Sequence, residues 1–357
     1  MSFEDNDKSV VLVTGCCGFL GSHLVKRLLQ DTNYNIIGID NLSYCSSLKN
    51  IKGLLETKRF IFVKLDFTNY TFLHYLFYVN KFEIVYHIGA YTHVDNSFDN
   101  SLVFTLNNTY GTHVLLEVAR KFKTKKFIHM STDEVYGTIP EGITANESFK
   151  FNPSNPYSVS KANAEELVRT YKDNYKMNII VIRGNNIIGT HQFIEKLIPK
   201  FSMRLLKLQK LCIHGTGEAT RNFTAVEDMT RAIILISQKS DPNEIWNVGN
   251  TDKYSVLETS HLILKHMRNL IKANSSLFTK EQIEWISQKD EYLIEHVEDR
   301  IFNDMRYDLN ISKVASLGFV PEIKFEDELS KIISWYVSNQ NYYSDQNIEK
   351  YTKPHCH

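Results

Sequence analysis

Val10-Val-Leu-Val-Thr14 runs directly into Gly15-Cys-Cys-Gly18-Phe-Leu-Gly21 and then into Ser22-His-Leu-Val-Lys-Arg-Leu-Leu29. An apolar strand, a glycine turn and a helix follow one another without a break. Gly15 permits the tight turn, Gly18 lets the backbone approach a pyrophosphate, and Gly21 lets helix and strand pack closely, with the helix N-terminus facing the anion. Asp40 closes the next apolar run, about 20 residues beyond the glycines, as a dinucleotide fingerprint requires. A carboxylate there accepts from ribose hydroxyls and repels a 2′-phosphate. The expected cofactor is therefore NAD rather than NADP.

The same alternation continues outward. Val10–Thr14, Asn35–Ile39, Phe60–Lys64, Ile84–His87, Lys126–Met130 and Asn178–Ile182 read as strands. Helix-period segments at Gly21–Leu29, Thr105–Lys121 and Ala162–Tyr175 separate them. This predicts an α/β, Rossmann-type doubly wound parallel sheet over residues 1–183, carrying both the cofactor and the chemistry. After Arg183 the elements shorten and Pro199, Gly215, Gly217, Pro242, Gly249 and Pro321 punctuate them. Residues 184–339 are expected to form a smaller C-terminal α/β substrate-binding lobe, with some segments returning to the main sheet. Residues 340–357 read as a polar, frayed tail, whose Pro354-His355-Cys356-His357 ending fits a solvated terminus better than a metal site.

Composition excludes several classes of partner. Lys plus Arg and Asp plus Glu both total 41, so no net charge draws the chain to nucleic acid or anionic lipid. No run has the length of a membrane span, and the first residues lack an apolar signal region. The five cysteines, Cys16, Cys17, Cys45, Cys212 and Cys356, have no metal-ligand spacing and suit a reducing compartment. A soluble, cytoplasmic protein without a metal is expected.

Two further blocks carry chemistry. Tyr157 and Lys161 stand four apart after Asn152-Pro153-Ser-Asn-Pro156, so both lie on one helix face. A free tyrosine titrates near pH ~10. The lysine ammonium and a positive nicotinamide would favour the phenolate and make Tyr157 a base. Asp133 and Glu134, in His129-Met-Ser131-Thr132-Asp133-Glu134-Val135-Tyr136, follow an apolar strand and so fall at the ligand-binding edge of the sheet. Oxidising an alcohol needs no acid pair. Removing water across adjacent carbons needs one group to take a proton and another to protonate the leaving hydroxyl, which suits two carboxyls in different protonation states. Asp66 is equally a residue near adenine or a turn residue.

These motifs resemble the extended branch of the short-chain dehydrogenase/reductases, and within it the nucleotide-sugar 4,6-dehydratases, over about Val10 to Asn339. Thr132-Asp133-Glu134 matches the mark of the dehydratases. Tyr44-Cys-Ser-Ser-Leu-Lys-Asn50, Thr92-His-Val-Asp-Asn-Ser-Phe98, Asn107–Glu117, Arg183-Gly-Asn-Asn186 and Asp299–Tyr307 resemble the UDP-glucose 4,6-dehydratases of UDP-rhamnose synthesis more than the dTDP-glucose enzymes. Gln192 and Phe302-Asn303 differ from the dTDP pattern in the same direction. Ile188 and Thr190, and the Cys16-Cys17 pair, depart from the usual family blocks and put details of the substrate loops in doubt.

The resemblance implies NAD contacts from Gly15, Gly18, Phe19, Leu20, Gly21, Asp40, Asn41, Asp66, Phe67, Tyr157 and Lys161. It implies sugar-nucleotide contacts from Thr92, Thr132, Asn186, Glu195, Lys196, Leu197, Arg221, Asn247 and Arg300, the arginines suiting a diphosphate and Asn247 being equally a turn residue. Tyr157 with Lys161 would then remove the C4 hydroxyl proton, Glu134 the C5 proton, Asp133 would protonate the leaving C6 hydroxyl, and Thr132 would bond the C4 oxygen. The implied reaction is UDP-glucose to UDP-4-keto-6-deoxyglucose. A dTDP-glucose 4,6-dehydratase and a UDP-sugar 4-epimerase are the alternatives, and a non-catalytic NAD-binding regulator is a distant one. Thr105–Lys121 and Tyr157–Tyr175 resemble helices of the family's four-helix dimer interface, which implies a homodimer.

Overall fold

The computed structural model describes Phe3, residues 8–298 and residues 305–344. Its strands are β1 (Val10–Thr14), β2 (Asn35–Asp40), β3 (Phe60–Lys64), β4 (Phe82–His87), β5 (Lys126–Thr132) and β6 (Ile179–Gly184). There follow β7 (Asn186–Ile188), β8 (Leu211–His214), β9 (Thr220–Ala225), β10 (Ile245–Val248), β11 (Lys253–Ser255) and β12 (Ile294–Val297). Seven of them build one parallel sheet in the order β10-β6-β5-β4-β1-β2-β3. This is the Rossmann-type doubly wound fold expected from the alternating pattern. β2 is buried along its whole length, as a strand between two helical layers must be.

The strand order reverses between β1 and β4, which opens a crevice at their carboxyl ends. Two glycines make that crevice possible. Gly15 has φ of +69°, and a Cβ on it would lie 2.6 Å from Gly89 Cα in the segment after β4. A Cβ on Gly21 would lie 2.0 Å from Gly15 O, so the first helix can sit against the turn only without a side chain there.

The helices begin earlier than their periodicity predicts, because capping residues lie outside the apolar stripe. Phe19–Asp31 replaces Gly21–Leu29, and Pro156–Tyr175 replaces Ala162–Tyr175. The second starts at Asn155, whose side chain accepts from Ser158 N while Ser158 Oγ reciprocates, with Pro156 in the first turn. The segment predicted as Thr105–Lys121 is helical from Ser101, and a π-helical turn occupies Thr105–Tyr110. That wide turn brings Asn108 Nδ2 to Tyr91 O and Ser160 Oγ, both at 2.9 Å.

Beyond Arg183 the chain alternates between the two regions. β10 pairs with β6, and the helix Val226–Lys239 sets Met229, Ala232, Ile233 and Ile236 into the core that also holds Leu24, Val25 and Leu28. The small sheets β11-β9-β7 and β12-β8, with the helices Leu197–Leu206, Val256–Ala273 and Phe325–Ser338, enclose a second core around Phe201, Ile263, Phe325 and Ile332. No described helix is long and apolar enough to cross a membrane.

The expectation of a frayed tail from residue 340 is corrected for its first five residues. Tyr343 is buried in the second core and donates its hydroxyl to His191 O at 2.7 Å. Tyr342 donates to Asn50 Oδ1 at 2.8 Å, and Lys49 Nζ donates to Tyr342 O at 2.7 Å. Average polarity conceals two tyrosines that anchor the chain's end across the loop after β2. The rest of that tail, including Cys356, lies outside the described residues. Tyr343→Ala is expected to lower the unfolding free energy by about 3 kcal/mol in denaturant titration, the range for losing a buried aromatic; a loss within about 0.5 kcal/mol would mark the segment as a surface appendage.

Candidate active site

Two adjoining cavities, of about 240 and 200 Å³, open at the carboxyl edge of the sheet. Both are lined by Thr92, Glu134, Asn186, Glu195 and Lys196, which therefore form the seam between them. The first cavity contains the glycine turn, with Gly15, Gly18, Phe19, Leu20 and Gly21, and also Asp40, Asn41 and Phe67. Gly18 caps the first helix without a side chain, so the free amides of that helix end face the cavity rather than a capping oxygen. This cradle fits a pyrophosphate. NAD is the cofactor of this fold family, and the residues present suit it.

Asp40 serves the turn as well as the cavity. Its Oδ2 accepts from Cys17 N at 3.0 Å and its Oδ1 from Leu42 N at 2.8 Å. Burial raises its carboxyl above the usual range, while these amides hold it down. The Sγ atoms of Cys16 and Cys17 lie 3.9 Å apart and near this carboxylate, and the four described cysteines form no disulfide. Asp66 makes the bonds of a turn residue: Oδ1 accepts from Thr68 N and Oγ1, at 2.8 and 2.7 Å, and Oδ2 from Asn41 Nδ2 at 3.1 Å. Its neighbours Asn41 and Phe67 line the first cavity.

The far wall of the first cavity brings together Thr132, Asp133, Glu134, Tyr157 and Lys161. β5 runs two residues beyond its predicted end because Ser131 and Thr132 pair with Arg183 and Gly184 of β6. A single 3₁₀ turn, Asp133–Tyr136, then turns the two acids into the crevice. Burial first, and Glu134 second, push Asp133 well above the usual carboxylate range. Its Oδ1 accepts from Thr132 Oγ1 at 3.3 Å, and its buried Oδ2 has no partner among the described residues. These surroundings favour the protonated form of Asp133. Glu134 Oε2 instead accepts from Asn155 Nδ2 at 3.3 Å, a bond that favours a carboxylate.

Tyr157 and Lys161 share the first turns of the helix Pro156–Tyr175, as their spacing predicts. Their electrostatics differ from expectation. Burial, then Glu134 and Asp133, raise the Tyr157 phenol, against a hydrogen bond with Thr132. Lys161 Nζ donates to Met130 O at 2.6 Å, and burial lowers it to about 8, with Glu165 opposing. The protein alone therefore favours the protonated phenol of Tyr157, chiefly because the ring is buried.

Glu165 was not singled out by motif, although it lies one further turn along the same helix face. It forms a buried bidentate pair with Arg183, with Nη2 to Oε2 at 2.7 Å and Nε to both oxygens at 3.1 and 3.0 Å. Ser131 Oγ donates to the same carboxylate.

The second cavity collects Leu197 and Arg221 beside the seam residues. Arg221 Nη1 donates to Thr220 O at 2.8 Å, and its guanidinium lies 5.1 Å from the Tyr307 ring centroid. Lys196 Nζ donates to Thr92 O at 2.8 Å. Asn247 does not belong to this group. It is fully buried in β10, accepts from Tyr136 Oη at 2.8 Å and donates to Ala145 O at 2.9 Å, so its amide is spent inside the protein. Gln192 lines the first cavity and not the second, and its Nε2 donates to Ile187 O at 2.7 Å. Arg300 and Phe302-Asn303 lie outside the described residues.

Comparisons with known proteins agree with this architecture. The family model for GDP-mannose 4,6 dehydratase matches residues 12–332. The dTDP-D-glucose 4,6-dehydratase of Homo sapiens is 39% identical over 345 residues, covering 96% of this chain and 94% of that protein. A trifunctional UDP-glucose 4,6-dehydratase/UDP-4-keto-6-deoxy-D-glucose 3,5-epimerase/UDP-4-keto-L-rhamnose-reductase of Arabidopsis thaliana is 38% identical over 339 residues, 94% of this chain and 48% of that protein. The crystal structure of a dTDP-glucose 4,6-dehydratase from Streptomyces venezuelae, with NAD bound, has a TM-score of 0.85 at 30% identity, covering 94% of this chain and 99% of the other. With the glycine cradle and the Asp133-Glu134 turn facing one crevice, the chain belongs to the GDP-mannose 4,6 dehydratase family, among the NAD-dependent nucleotide-sugar 4,6-dehydratases of the extended short-chain dehydrogenase/reductases.

Proposed function

We propose that the enzyme converts UDP-glucose to UDP-4-keto-6-deoxyglucose, the dehydration that opens a route to UDP-rhamnose. The observation that carries the dehydration is the pairing of a buried Asp133, whose Oδ2 has no partner among the described residues, with a hydrogen-bonded Glu134 on the wall that also holds Tyr157. Bound NAD supplies a hydride acceptor and donor, and its positive nicotinamide supplies the charge that Tyr157 needs to act as a base. Tyr157 takes the C4 hydroxyl proton, and Thr132 steadies the oxygen. The C4 ketone acidifies the C5 hydrogen, Glu134 removes that proton, and Asp133 protonates the departing C6 hydroxyl. Glu134, its proton exchanged with solvent, delivers a proton to C5 as C6 is reduced. Arg221 and Lys196 supply positive charge for the diphosphate in the adjoining cavity.

The choice of uridine rests on the sequence blocks from Tyr44 to Asn50 and from Thr92 to Phe98. A second reading, dTDP-glucose as substrate, is favoured by the similarity to the human dTDP-D-glucose enzyme. Parallel incubations with the two nucleotides, followed by mass spectrometry, should give faster water loss from UDP-glucose; preferential turnover of dTDP-glucose would reverse the assignment. Glu134→Gln is expected to reduce product formation by about 100- to 10,000-fold while UDP binding persists. Undiminished product formation would remove Glu134 from the elimination.

A cytoplasmic homodimer is part of the same reading. Leu102, Leu106 and Tyr110 on one helical segment, and Val159 and Tyr175 on its neighbour, are exposed apolar side chains on the two helices expected to pair. Light scattering should report a dimer for the native chain and a monomer for Leu102→Glu/Leu106→Glu. A native monomer, or a doubly substituted dimer, would place the contact elsewhere or abolish it.

A further inference from the structure

Glu195 stands in the seam between the two cavities, and its carboxylate is gripped from two distant parts of the chain. Tyr44 Oη donates to Oε1 at 3.2 Å and Asn96 Nδ2 to Oε2 at 3.2 Å, while Asn96 Nδ2 also lies 3.4 Å from Tyr44 Oη. Tyr44 belongs to the loop after β2 that carries Asp40, Asn41 and Cys45 along the dinucleotide cavity. Asn96 belongs to the helix Val94–Asp99, whose Asp95 lines the other cavity. Tyr44 is itself fixed between rings: it stacks on Tyr91 at 6.0 Å and meets Phe193 edge-on at 5.6 Å. Burial keeps its hydroxyl protonated, so it can only donate to the carboxylate.

We propose that Tyr44 and Asn96 are positioning residues for the sugar-nucleotide reaction: together they hold the Glu195 carboxyl in one orientation, as an acceptor facing the hexose. This rests on the function proposed above. An ionised carboxylate has about four acceptor positions, and one donor on each oxygen leaves each with capacity for a sugar hydroxyl. Fixing the carboxylate in advance removes the cost of ordering it when sugar arrives. Because Tyr44 sits on the loop that borders the dinucleotide, the clamp also ties that loop to the sugar wall.

The surroundings define how the clamp should respond to pH. Burial raises Glu195 to about 7; Lys196 and the Tyr44 hydrogen bond lower it, Asp95 raises it and Lys200 lowers it. Cys45, whose thiol is pushed up to about 12 by burial and then by Glu195, is neutral beside it, and Glu134 shares the cavity. Only the ionised carboxylate accepts on both oxygens at once, so turnover should fall as pH drops through the Glu195 titration. Removing the Tyr44 donor destabilises the ionised form and must move that fall to higher pH.

The test is a double-mutant cycle of Tyr44→Phe and Asn96→Ala, each in the native and the Glu195→Gln background. The readouts are bound NAD, UDP affinity, and the pH profile of kcat/KM with UDP-glucose. In the native background each substitution should lower kcat/KM roughly tenfold, the worth of one hydrogen bond to a charged group. Bound NAD and UDP affinity should be retained, and Tyr44→Phe should shift the acidic limb up by about one pH unit. In the Glu195→Gln background neither substitution should add a further loss. Equal losses in both backgrounds, or an acidic limb that stays in place for Tyr44→Phe, would overturn the clamp and leave these residues with packing roles only. Calorimetry with a 4-deoxy-4-fluoro analogue of UDP-glucose, which cannot be oxidised at C4, reads the coupling across the same cycle without turnover. A coupled binding cycle in a protein that dehydrates nothing would therefore sink the function and keep the clamp, and an uncoupled cycle in an active dehydratase the reverse.

Discussion

The buried ion pair between Arg183 of β6 and Glu165 of the helix Pro156–Tyr175 is the contact on which the chemical wall depends. Both side chains are only 4% exposed, so neither charge has water as an alternative partner. Breaking such a pair by removing one member costs about 3–5 kcal/mol, because the survivor is left charged and desolvated. The geometry explains why the cost is borne. Glu165 is one turn beyond Lys161 and two beyond Tyr157, and it also receives Ser131 Oγ from β5. One carboxylate thus registers the tyrosine and lysine against the strand end that presents Asp133 and Glu134.

Burial also sorts the protons. Burial, and then the neighbouring Glu134, favour the protonated form of Asp133. Glu134 is half-buried and takes a donor from Asn155, the residue that also caps the helix carrying Tyr157. One asparagine therefore starts the catalytic helix and steadies a carboxylate. The division of an acid from a base follows from depth and hydrogen bonding rather than from residue type.

Much of this was legible in the sequence because it is local. The glycine turn needs only a strand before it and a helix after it; Tyr157 and Lys161 need only a spacing of four; Asp133-Glu134 needs only the strand that ends beside it. What the sequence hid is non-local. Tyr44 and Glu195 meet across 151 positions, and no periodicity reports such a contact. Asn247 reads in the sequence as a sugar-nucleotide contact or equally a turn residue, but it pairs with Arg183 inside the sheet, where Tyr136 and Ala145 take its amide. Thr68, two residues on, completes a turn through the Asp66 side chain. Tyr343 was masked by polar neighbours in a run whose average says nothing of a single buried ring.

Elimination at Asp133-Glu134 has an isotopic signature that neither epimerisation nor simple oxidation shares. Turnover of UDP-glucose in deuterated water should give a 4-keto product lighter than substrate by one water, with one solvent deuterium at C5 and with the hydrogen from C4 transferred to C6. A product of unchanged mass, or a 4-keto product that retains its C6 hydroxyl, would contradict a dehydration at these two carboxyls.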